Sequence, residues 1–122
     1  MTQPAAGARQ HIRSLLLTII EHEVKMRIAE QVDIRFGSAF QASRLYWQKE
    51  IERNWQRIER INQTSSRRRG QFFSDAEIDQ WKEELVETGV RMAVNRFMDD
   101  LREQGIEGDV RWLKKIAEEI YD

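Results

Sequence analysis

The chain contains no cysteine. That removes disulfides, thiolate zinc sites, iron–sulfur clusters and cysteine nucleophiles from its chemistry, and it fits a reducing compartment. Its single proline is Pro4, so no later position forbids a long helix. Long apolar runs are missing as well: the longest, Leu15 to Ile20, is broken by Thr18 and is far too short to span a bilayer. The first residues lack the ordered charged start, apolar stretch and cleavage site of a secretory signal. The expectation is a cytoplasmic protein without membrane association.

Catalytic groupings are equally scarce. His11 and His22 are the two histidines, and on a helix they stand about 16 Å apart along the axis, too far to share a metal ion or a substrate atom. Neither has the Glu-x-x-His or His-x-x-x-His spacing of helical metal sites. No Gly-rich phosphate loop is present. Gly105 and Gly108 have the spacing of a backbone-clamping KH loop, but Glu107 lies between them, Asp109 follows, and no strands flank them. With no base beside a nucleophile and no converging carboxylates, the chain is expected to be no enzyme and to hold no cofactor or metal.

What is there is helix. At 122 residues, 40% apolar and 34% charged, the chain fits one domain rich in surface, or one subunit of an assembly. Residues 1–8 read as a flexible N-terminal tail, and residues 9–122 as a single helical domain with a polar loop at 63–73. From Arg9 to Ile34, Ile12, Leu15, Leu16, Ile19, Ile20, Met26 and Ile34 recur at helical spacing. Leu17, Val24, Ile28 and Val32 add a second apolar face, which predicts a helix that is central or shared with another chain. Gly37 ends it, and Ser38 to Gln41 has the form of a capping box for a helix from Ala39 to Asn62. There Trp47, Ile51, Trp55, Ile58 and Ile61 make a single stripe.

Ser74 to Glu77 is a second capping box, with Phe73 and Ile78 placed to staple it. The third helix runs to Gln104 and changes its apolar face near Gly89: Ile78, Trp81, Leu85 and Met92 share one side, while Val90, Val94, Phe97 and Leu101 lie about 150–180° away. Either it bends there or its halves pack on different partners. Asp109 can cap a short last helix with Val110, Leu113, Ala117, Ile120 and Tyr121 inward, and Trp112 off that stripe. The fold class is all-α: a four-helix bundle or helical hairpins, three helices long and the C-terminal one short.

Charge is sorted along this chain. Residues 41–73 carry eight basic and three acidic side chains, whereas residues 74–122 carry seven basic and fourteen acidic. On the second helix Lys49, Arg53, Arg57 and Arg60 fall within roughly 80° of one another, opposite the Trp/Ile stripe. Arg67, Arg68 and Arg69 extend them into the loop. Such a row either tracks phosphates, which guanidinium forks match, or docks on the acidic third helix.

The first expectation is a non-enzymatic scaffold subunit, docking on other protein subunits or on copies of itself as a homo-oligomer. It would use the first helix and Val90, Val94, Phe97 and Leu101, with Trp112 as an aromatic anchor. The alternative is a nucleic-acid-associated subunit making sequence-independent contacts to an RNA or DNA backbone through Lys49, Arg53, Arg57, Arg60 and Arg67 to Arg69.

Overall fold

The computed structural model of the chain describes residues 4–63 and 70–121. These residues form four helices and no strand: α1 (Pro4–Phe36), α2 (Gln41–Ile61), α3 (Asp75–Glu103) and α4 (Val110–Ile120). Helix therefore begins at Pro4, inside the segment expected to be a tail.

The helices alternate in direction. Asp33 pairs with Arg44 at 2.9 Å while Lys25 lies over the Trp47 ring, so α2 runs back along α1. Arg13 reaches Glu84 and Lys25 reaches Asp100, so α3 runs parallel to α1. Phe36 meets Trp112 and Glu23 meets Tyr121, which sets α4 antiparallel again.

α1 packs against all three other helices, and α3 also packs against α4. The backbones of α2 and α3 stay apart and the helices meet through side chains, Trp47 packing at a tilt against Phe97 for example. This explains the second apolar face of α1. Ile12, Leu16, Ile19, Ile20, Val24, Ile28 and Val32 are all fully buried within the chain, each large aliphatic side chain contributing about 1.5–3 kcal/mol. Of the two expectations for this face, central or shared with another chain, the first holds: the protein's own helices cover it.

The divided apolar pattern of α3 has the second of its two anticipated causes. Ile78 and Trp81 join Ile12, Leu16, Ile19 and Ile58 in one cluster. Ala93, Val94, Phe97 and Leu101 join Val24, Ile28, Phe40, Trp47 and Leu113 in another. The helix passes through Gly89 without a break. A Cβ at Gly89 would lie 2.4 Å from Ile20 Cγ2, so α1 and α3 approach closely at this glycine.

Two expected caps turn out differently. Ser74 Oγ accepts from Glu77 N at 3.1 Å, the expected capping bond. Ser38 makes no such cap: α2 starts at Gln41, and the Phe40 amide donates instead to Asp33 Oδ1 at 2.9 Å. A carboxylate from the preceding helix does the work assigned to the local serine. Asp109 caps α4 through a bond from the Arg111 amide.

Candidate nucleic-acid interface

The stripe of Trp47, Ile51, Trp55 and Ile58 turns one side of α2 toward α1, and Trp47 and Ile58 are buried there. The opposite side is forced into solvent. Lys49, Arg53, Arg57 and Arg60 all lie on it and all are exposed. From Lys49 to Arg60 the row extends about 16 Å along the axis. Arg53 pairs with Glu50 at 2.8 Å, its partner three residues back on the same helix. Lys49, Arg57 and Arg60 make no ion pair among the described residues. Arg67, Arg68 and Arg69 lie outside the described residues.

The acidic third helix does not neutralise this row. Those of its carboxylates that form ion pairs do so with α1 or locally: Glu84 with Arg13, Asp100 with Lys25, and Asp99 with Arg102 on the same helix. Two further cross-links run between α1 and α3, while Asp33–Arg44 ties α1 to α2. Arg96 bonds the buried Glu21 carboxylate, and Lys82 reaches Glu23 at 2.8 Å. Among the described residues most interhelix ion pairs thus join α1 to α3, and Lys49, Arg57 and Arg60 on the outer face of α2 are left without an ion-pair partner.

The apolar residues expected to dock a partner are placed elsewhere. Phe97 and Leu101 are fully buried, and Val94 nearly so, in the core beside Phe40, Trp47 and Leu113. They present no free face, which corrects the expectation that the second half of this helix is left over. Val90 is half-buried and, with Val86 and Val110, lines a groove of about 560 Å³ between α3 and α4. Trp112 is half-buried rather than free, edge-on to Phe36 and beneath Arg35.

The large apolar side chains that are exposed sit together instead. Ile34 and Phe36 end α1, Leu45 and Tyr46 begin α2, and Val110 begins α4. Given the alternating directions, all five lie at one end of the bundle.

A residue missed in the sequence is Tyr46. At about 100° per residue it falls inside the same roughly 80° arc as the four cations, directly ahead of Lys49. Its angular position was the available signal, hidden by its neighbour Trp47, which begins the buried stripe. Tyr46 is 57% exposed.

At the opposite side of α2, an open groove of about 810 Å³ is lined by Met26, Ile51, Trp55 and Ile120. Its charged groups are already engaged, Lys82 standing between Glu23 and the Trp55 and Tyr121 rings. Tyr121 donates to Glu23 at 3.4 Å, and burial first, then that carboxylate, push its phenol well above the ordinary value of 10.0. Burial lowers the His22 imidazole below 6.5. His22 is half-buried near Glu21, Lys25, Glu50 and Arg96, whereas His11 is exposed. No three of His, Asp and Glu converge on a metal-sized site among the described residues. Among the described residues no helix is long and apolar enough to cross a membrane.

Compared with protein-family models, curated proteins and solved structures, the chain matches none.

Proposed function

We propose that this chain is a non-enzymatic helical subunit that contacts the phosphate backbone of a nucleic acid through the outer face of α2. One observation carries the reading: Lys49, Arg53, Arg57 and Arg60 form an exposed row in which three of the four lack any carboxylate partner among the described residues. Like charges at i, i+4 cost an isolated helix a few tenths of a kcal/mol each. A bound polyanion reverses that cost and releases counterions. A second reading, docking on another protein subunit or a second copy, is favoured by the gathering of Ile34, Phe36, Leu45 and Val110 at one end of the bundle. The two surfaces adjoin at Leu45 and Tyr46, so one subunit could present both side by side.

The test is binding of a labelled oligonucleotide across a salt series, by wild type and by an Arg53/Arg57/Arg60→Ala variant. Wild-type affinity should fall linearly on a log–log plot with a slope of about −2 to −4, as three or four phosphate contacts give. The variant should lose most of that slope while keeping its circular dichroism, since the three side chains are exposed. Unchanged affinity and slope in the variant defeat the reading. The mass of the native species in the same preparation tests the second reading, which a partner-free monomer opposes.

A further inference from the structure

The α2 face holds one group that phosphate contact does not explain. Of the aromatic side chains in the described residues, all but Tyr46 have a ring or cation neighbour. Trp47 and Phe40 lie against Phe97, Phe72 and Trp81 flank Phe73, and Phe36 meets Trp112. Lys82 covers Trp55 and Tyr121. Tyr46 makes no such contact, is 57% exposed, and shares the arc of the cationic row.

A free ring in line with cations has a specific chemical complement. Each nucleotide of a single strand offers a phosphate to a cation and an unpaired base face to an aromatic ring. A duplex offers its phosphates but keeps its base faces stacked inside. Tyr46 to Arg60 covers about 21 Å of helix axis, room for at most about six nucleotides at the 3.4 Å repeat of a B-form strand.

Resting on the backbone-binding reading above, we infer that the α2 face takes a single strand in preference to a duplex. One unpaired base stacks on Tyr46, and the adjoining phosphates run along Lys49, Arg53, Arg57 and Arg60. DNA and RNA share this chemistry.

The experiment uses fluorescence anisotropy with labelled single strands of about sixteen nucleotides, DNA and RNA, and the matching DNA duplex. Tyr46→Ala should weaken single-strand binding by about 5- to 150-fold and leave duplex binding within about twofold, because one base–aromatic stack is worth about 1–3 kcal/mol. Tyr46→Phe should bind as wild type does, and an abasic strand should bind wild type as weakly as the intact strand binds Tyr46→Ala. A larger loss with RNA or with DNA identifies which strand the site prefers. Equal binding of intact and abasic strands, or equal losses on single strand and duplex, overturns the stacking role while leaving backbone contact standing. Absence of binding to any of the probes overturns both.

Discussion

Replacing Gly89 with alanine separates two effects of opposite sign. A mid-helix glycine costs about 1 kcal/mol relative to alanine, so propensity alone makes the variant more stable. The structure argues the reverse. The new methyl would lie 2.4 Å from Ile20 Cγ2 and 2.9 Å from Ile20 Cβ, against the roughly 3.5–4.0 Å of an ordinary carbon contact. Ile20 is fully buried, its χ1 is stiff, and no rotamer moves its Cβ. Relief therefore requires α1 and α3 to separate, along the same interface that holds the Glu21–Arg96 and Lys25–Asp100 pairs. Overpacking of this kind costs about 1–3 kcal/mol. The upper half of that range applies where backbone must move, leaving a net loss of about 1–2 kcal/mol after the propensity gain. Urea unfolding followed by tryptophan fluorescence should show it, and thermal unfolding should show a fall in Tm of about 4–8 °C. Gly7→Ala is the control, since a Cβ there meets nothing within 4 Å and should be neutral or slightly stabilising. A Gly89→Ala variant as stable as wild type, or more so, refutes the close approach of α1 and α3.

Asn62 is buried and holds both ends of the loop after α2, its amide donating to the Phe73 carbonyl and its oxygen accepting from the Phe73 amide, each at 2.9 Å. Asn62→Ala should cost about 1–3 kcal/mol in urea unfolding, because it strands two part-buried backbone groups of Phe73; a loss below about 0.5 kcal/mol contradicts the clamp. His22 gives a pH dependence. Burial holds its folded-state pKa below 6.5, so the unfolded chain takes the proton more readily, and its contribution is intact above about pH 6.5 and lost as pH falls toward the folded value. Urea midpoints at about pH 7.5 and pH 5.5 should differ more in wild type than in His22→Gln; equal differences refute the assignment.

The helices were legible because their apolar spacing is a local property. The Trp/Ile stripe of α2 and the face change at Gly89 both correspond to real packing. Which of two packings a doubly apolar helix adopts is not local. The apolar residues of α1 and the Val94, Phe97 and Leu101 side look the same whether the chain's own helices cover them or a partner does. The cap of α2 shows the same limit: Ser38 had the right spacing, but Asp33, seven residues before Phe40, reached its amide first. Of the candidate site, the cationic row was readable from spacing and its exposure was not. Exposure required knowing that α1, rather than α2, faces the acidic helix.

That arrangement decides what the net charge of −1 means. Exposed charges act on a ligand over about 8–10 Å at physiological salt. The cationic row lies on the side of α2 opposite the stripe that packs inward, and a helix with its side chains is about 10–12 Å across. The carboxylates of α3 are therefore screened from the outer face of α2, while Glu84 and Asp100 are already paired with α1. A phosphate approaching α2 meets the local row and its flanking Glu52 and Glu59, not the average of the chain. Four cations support no more than about four phosphate contacts, so this face alone gives modest, strongly salt-dependent affinity. Tight binding then has to draw on a second contact: the apolar end of the bundle, seated on a neighbouring subunit, is placed to supply it.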